Sequence, residues 1–168
     1  MAEQSVTIKK LQERFGDRIR VVPSPFDGMD AVMVKREDIV DVCKFLRKED
    51  ELDYDLMRDL TCVDYIREKP RFEVVYHLYS IYYGHAIRLK VRLPAEDPTI
   101  DTVTGVWVGA NWYEREVYDL YGVKFKNHPD LRRILLYPEF VGHPLRKDYP
   151  IDKEQPLVEQ REEAKGAR

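Results

Sequence analysis

The residues from 87 to 93 do most to limit the folds open to this chain. Ile87, Leu89, Val91 and Leu93 alternate without a break with Arg88, Lys90 and Arg92. Only an extended strand sends such residues to two opposite faces, one apolar and one charged. That strand needs neighbours in a sheet, and an apolar layer on one side only. Candidates precede it. Residues 60–66 and 72–82 are rich in β-branched and aromatic types, and turns are expected at Glu68-Lys69-Pro70 and at Gly84. Pro94 and Glu96-Asp97-Pro98 end the run.

Upstream, Ile8, Leu11, Gln12 and Phe15 fall at helical spacing, with Gly16 as the stop. Residues 18–22 and 31–34 read as short strands that pair, separated by Pro23-Ser24-Pro25 and a turn at Asp27-Gly28. From 36 to 48, Ile39, Val42, Cys43 and Leu46 mark a second helix. Glu37 and Asp38 in its first turn and Arg47 and Lys48 in its last suit its dipole. The expectation is an α+β fold: an antiparallel or mixed sheet flanked by helices, with an extended C-terminal tail. Residues 1–136 form the globular domain in this reading, and the prolines after Tyr137 mark off 137–168 as the tail. Residues 140–151 carry Phe140, Val141, Leu145, Tyr149 and Ile151 without a regular pattern. Such a segment lies extended over a surface, its own or a partner's. Residues 157–168 are charged in both signs and poor in core residues, a composition that does not order alone.

Residues 111–135 hold the densest signal. Asn111 can cap a helix, and Glu114 three residues on can reach back as in a capping box. Tyr113, Val117, Leu120 and Tyr121 form an apolar stripe, and Gly122 stops the helix. Then come His128-Pro129-Asp130 and the pair Arg132-Arg133. The spaced set Glu114-Arg115-Glu116, Asp119-Leu120-Tyr121, His128, Arg132, Ile134 and Leu135 resembles the signature of the 30 kDa subunit of respiratory complex I. The run Gly142-His143-Pro144-Leu145-Arg146-Lys147-Asp148-Tyr149-Pro150 is similar to that family's C-terminal motif.

The resemblance covers about residues 103–151 and has definite implications. Such a subunit belongs to the peripheral arm of a proton-pumping NADH:quinone oxidoreductase, on the cytoplasmic side of the inner membrane. It holds no cofactor itself; FMN and iron–sulfur clusters sit in partner subunits. Its partners are the 49 kDa-type subunit and the quinone-proximal iron–sulfur subunit, and its C-terminal segment runs along the former. Glu114, Arg115, Glu116, Asp119, His128, Arg132, Arg133, His143, Arg146, Lys147 and Asp148 are then structural and docking residues. Related membrane-bound hydrogenases, formate hydrogenlyase and F420H2 dehydrogenase carry homologous subunits that the signature does not separate.

The residues themselves give no self-contained active site. Glu114 and Glu116 point apart around a helix, whereas Glu116 and Asp119 can share a face. A solvated, capped helix face accounts for these acids as well as acid–base chemistry does, and Arg115 with Asp119 suits a surface pair. His77, His85, His128 and His143 lack metal-ligand spacing, and Cys43 and Cys62 do not extend any pair of them. No cysteine cluster of the iron–sulfur type, glycine-rich phosphate loop or nucleophile elbow is present. A net charge of -3 argues against non-specific nucleic-acid binding. Lys124, Lys126, Arg132, Arg133, Arg146 and Lys147 therefore read as a docking surface for an acidic partner rather than an RNA contact. No apolar run approaches the roughly 20 residues of a membrane span, so membrane contact is expected through partners.

Overall fold

The computed structural model describes residues 5–23 and 27–156. Ser24 and Pro25 of the expected break, and the charged segment 157–168, lie outside the described residues. Helix α1 (Val6–Phe15) starts at Ser5, whose hydroxyl accepts the Ile8 N–H, and stops at Gly16 in a positive-φ conformation. A 3₁₀ turn (Gly16–Arg18) leads into β1 (Ile19–Val22), which pairs antiparallel with β2 (Asp30–Val34). Helix α2 (Ile39–Lys48) comes next, three residues shorter at its start than its charge pattern predicts. Asp38, expected in its first turn, precedes it and takes the Arg18 guanidinium.

Then come β3 (Leu56–Asp64), β4 (Phe72–Tyr79) and β5 (Ala86–Leu93), the expected antiparallel meander. The sheet order is β1-β2-β5-β4-β3, and β2 runs parallel to β5, so the sheet is mixed. A second, two-stranded parallel sheet joins β6 (Thr99–Asp101) to β7 (Lys124–Lys126), with helix α3 (Ala110–Tyr121) between them in sequence.

The alternation in β5 does what period two requires. Ile87, Leu89, Val91 and Leu93 are all fully buried. Across the sheet they line up with Leu78, Tyr76, Val74 and Phe72 of β4, and this face forms one core with Ile8, Leu11, Val42, Leu46 and Val117 of the three helices. Burying side chains of this size contributes roughly 1.5–3 kcal/mol each. The opposite face is polar and pairs across strands. Glu73 reaches Lys90 at 3.2 Å, and Arg88 Nε donates to His77 Nε2 at 2.9 Å. Burial and the neighbouring Arg88 hold the His77 imidazole below its ordinary pKa, so it sits neutral as a structural acceptor. Helix α3 packs beside β3, where the Tyr113 hydroxyl donates to the Arg58 carbonyl at 3.1 Å. That contact sets α3 at one edge of the sheet and leaves its C-terminal end open to residues 128–150.

Candidate functional site

The entry into α3 differs from the expected capping box. The helix starts at Ala110 behind Gly109, and no side chain caps it. Glu114 does not reach back to Asn111. It turns inward, fully buried, where its carboxylate accepts the Val103 N–H at 2.8 Å and the Thr102 hydroxyl. Burial pushes the Glu114 carboxyl up to about 7, against the pull of those two donors. His128 closes the site from the other side. Its Nδ1 accepts the Asp130 N–H at 3.0 Å, so the proton sits on Nε2, which donates to the Asn111 carbonyl at 3.3 Å. The same Nε2 lies 3.8 Å from Glu114.

One helical turn later Asp119 is also fully buried. One oxygen takes Arg133 Nη1 at 2.6 Å. The other takes three successive backbone N–H groups, Ile134 at 3.0 Å and Leu135 and Leu136 at 2.9 Å each. Burial alone would raise this carboxyl; the N–H groups and the guanidinium outweigh it and hold it below its usual range. The acids of α3 thus depart from a solvated face. Glu114 and Asp119 are interior anchors, and only Glu116 is exposed, so Glu116 and Asp119 do not form a shared site. Arg115 does not pair with Asp119 either. Its guanidinium donates to the Arg132 and Arg133 carbonyls at 3.1 and 3.0 Å.

Beyond this anchor the chain folds back as a strap over its own body. Gly122 ends α3 at φ 74, and a Cβ there would come within 2.6 Å of the His143 ring. His143 Nδ1 donates to the Asp119 carbonyl at 2.9 Å, and burial keeps the imidazole neutral. Arg146 Nε donates to the Tyr121 carbonyl at 2.5 Å, and its guanidinium lies over the Phe72 ring. The Leu145 N–H meets the Leu120 carbonyl at 3.1 Å. These contacts satisfy carbonyls that the end of a helix leaves open. The strap is then locked to the sheet. Arg71 grips buried Asp64 with two bonds of 2.7 Å and Asp148 with two of 2.8 Å, while the Lys147 N–H adds a 2.8 Å bond to Asp64. The Arg71 guanidinium holds both carboxyls below their usual range.

Asp64, Arg71, Thr102 and Val103 carry this site, and no sequence signal marks them. The strap partners of Asp64 and Arg71 lie far along the chain, 83 residues for Lys147 and Asp64. The arrangement also decides which side chains face outward. The Arg132 side chain is 73% exposed and pairs with Asp130 at 2.9 Å, whereas Arg133 is turned in toward the Phe140 and Gly142 carbonyls. Leu135, Val141, Leu145 and Ile151 are exposed apolar side chains along the same segment. Among the described residues no group of three His, Cys, Asp or Glu side chains is placed to hold a metal ion. Cys43 and Cys62 are buried free thiols, and burial pushes Cys62 up to about 12. No helix among the described residues is long and apolar enough to cross a membrane.

The family model described as respiratory-chain NADH dehydrogenase, 30 Kd subunit, matches residues 32–155, which take in β3, β4, β5 and the strap. The chain belongs to that family. It is 52% identical to the C subunit of NADH-quinone oxidoreductase from Geotalea uraniireducens over 90% of both chains. It is 53% identical to that of Geobacter sulfurreducens over 90% of this chain and 92% of the relative. Two solved structures share the fold. One is a trypsin-resistant fragment (1-134) of Nqo5, 28% identical at TM-score 0.63, covering 75% of this chain and all of the fragment. The other is in an archaeal membrane-bound sulfane sulfur reductase, a respiratory membrane complex. It is 26% identical at TM-score 0.73, covering 86% of this chain and 84% of that one.

The anchors make two outcomes testable. Asp119→Ala strips Arg133 and three N–H groups of their acceptor, and the expected loss is about 3–5 kcal/mol in urea denaturation. Stability within about 0.5 kcal/mol of the parent would mean the strap does not depend on this carboxylate. Glu114 acts with the opposite sign. Its folded pKa of about 7 exceeds the ordinary 4.5, so its contribution is full below 4.5 and is lost as pH rises toward 7. Subtracting the stability–pH curve of Glu114→Gln from that of the parent should expose this decline between pH 4.5 and 7. A flat difference curve contradicts the assignment.

Proposed function

We propose that this chain is the non-redox docking subunit of the peripheral arm of an NADH:quinone oxidoreductase. That enzyme moves electrons from NADH through FMN and iron–sulfur clusters to quinone, coupled to proton translocation. The observation that carries the reading is the match to NADH-quinone oxidoreductase C subunits at 52% and 53% identity over 90% of this chain. The strap explains how a chain without a reaction centre serves such an assembly. It fixes the Leu135, Val141 and Leu145 side chains on a rigid support, and exposed apolar residues beside arginine are interface material.

In this reading residues 1–136 are the globular body, and 137–168 the docking element that lies along a 49 kDa-type subunit beside the quinone-proximal iron–sulfur subunit. Flavin and clusters belong to the partners. The chain sits on the cytoplasmic side of the inner membrane and meets the membrane through those partners. Arg132, Lys147 and Glu116, all exposed, serve docking directly. Glu114, Arg115, Asp119, His128, Arg133, His143, Arg146 and Asp148 serve it by holding the strap in place.

A second reading has a specific observation behind it. The likeness to the sulfane sulfur reductase chain, at TM-score 0.73, fits a sister complex with another electron-transfer module, of the hydrogenase or F420H2 dehydrogenase type. Its 26% identity, against 53% for the Geobacter sulfurreducens relative, favours the NADH-linked assembly.

Affinity purification of the tagged chain from detergent-solubilised membranes separates the two. The expected co-purifying set contains a 49 kDa-type subunit with flavin-bearing, NADH-oxidising chains. A nickel-bearing large subunit without them moves the chain to the sister complex. Leu135→Asp with Leu145→Asp should cut recovery of the 49 kDa-type subunit about tenfold without lowering the melting temperature, since both side chains are already in water. Undiminished recovery would remove the strap from the interface.

A further inference from the structure

At the edge of the sheet away from α3, two adjoining grooves meet at Arg18. One, of about 600 Å³, runs between α1 and α2 and is walled by Arg14, Lys44 and Lys48. Its floor is the edge-to-face pair of Phe15 and Phe45, with ring centroids 5.5 Å apart. The other, of about 300 Å³, lies along β1 and the polar sheet face, beside Arg20, Lys35 and Arg92. Basic side chains in the two grooves outnumber acidic ones by seven to three, in a chain whose net charge is -3. The concentration is assembled by folding, since its members span residues 14 to 92.

Two of these cations are held by partners within the fold, and the other five are exposed. Arg18 is fixed by Asp38 and lies over the Phe15 ring at 5.4 Å. Arg92 is packed over Tyr65 and pairs with Glu68 and Glu73, and its Nη1 is buried without a hydrogen-bond acceptor among the described residues. Arg14, Arg20, Lys35, Lys44 and Lys48 make no ion pair among the described residues. Like charges facing each other across a groove repel, and low-dielectric walls focus their field on whatever enters. Guanidinium forks match carboxylates, and the aromatic floor accepts an apolar side chain. Strand β1, at the start of the sheet order, pairs on one side only and leaves its outer backbone groups open to an extended chain. A concave site beside an open edge suits a peptide strand and does not suit the plane of a bilayer.

We propose that the Arg18-centred groove binds an acidic, extended segment of a partner protein, at a second contact separate from the strap. The segment runs along β1, sets carboxylates against Arg14, Lys44, Lys48, Arg20 and Lys35, and places an apolar side chain on Phe15 and Phe45.

The test titrates the full chain into a fluorescein-labelled heptapeptide of alternating Glu and Leu, monitored by anisotropy, with a Lys–Leu heptapeptide as comparison. The expected result is salt-sensitive binding of the acidic peptide alone. Lys44→Glu with Lys48→Glu, or Arg20→Glu, should weaken it about tenfold or more, with the melting temperature of Arg20→Glu unchanged because Arg20 makes no ion pair among the described residues. Lys124→Glu with Lys126→Glu, an equal charge change on β7, should leave it unaltered. The proposal is overturned if the acidic peptide does not bind, or if the Lys124 and Lys126 variant weakens it equally. Lys44- and Lys48-dependent binding to vesicles of anionic phospholipid in place of the peptide overturns it as well.

Discussion

The C-terminal half of the molecule depends on one buried charge. Asp119 has no exposed surface, and a carboxylate there is tolerable only because Arg133 and three consecutive backbone N–H groups converge on it. The constraint is mutual. Residues 134–136 adopt no helix or strand, so their N–H groups need an acceptor, and α3 supplies it from one turn before its stop. From that point the path of the strap is determined. His143 takes the Asp119 carbonyl, Arg146 the Tyr121 carbonyl, and Asp148 the Arg71 fork. A segment without regular structure acquires one conformation through bonds to a helix end and a sheet end.

Glu114 and Asp119 are two carboxylates on one helix with opposite electrostatics. Asp119 has a guanidinium and enough donors to stay ionised, and its carboxyl is held low. Glu114 has two neutral donors and no guanidinium, and burial lifts it to about 7. The first ties the helix to the strap, the second ties it to the 102–103 turn and, through His128, to the turn after β7. Acid-rich helix and basic loop, adjacent in sequence, are therefore complementary inside one chain. Arg133 and Arg146 are used within the chain, while Lys124, Lys126 and Lys147 stay exposed. Arg132 still faces outward, with the apolar row from Leu135 to Ile151 and, on the opposite edge, the grooves around Arg18.

Much of this is legible in the sequence, for definite reasons. The β5 alternation, the stops at Gly16 and Gly122 and the α2 face all depend on local spacing, and they appear where spacing puts them. The motifs 114–135 and 142–150 mark the residues that the structure joins. Their roles are less legible. Glu114 satisfies a local capping rule on paper, yet its tertiary donors at Thr102 and Val103 win. Arg133 and Arg132 are neighbours with identical chemistry, and only the fold turns one inward. Asp64 and Arg71 stand near strand ends with no distinguishing pattern, because their strap partners are 83 and 77 residues away along the chain. The parallel β6–β7 pair, three residues each, is too short to leave a period.

In the proposed function the strap, held by Asp119, is the surface on which this subunit is built into its complex. Backbone hydrogen exchange of the chain, free and in the purified assembly, addresses it directly. The account predicts that the Ile134, Leu135 and Leu136 amides are protected in both states, because Asp119 holds them. It predicts new protection in the assembly from about residue 137 to 153. Protection of 134–136 only in the assembly, or none gained along the strap, would contradict it.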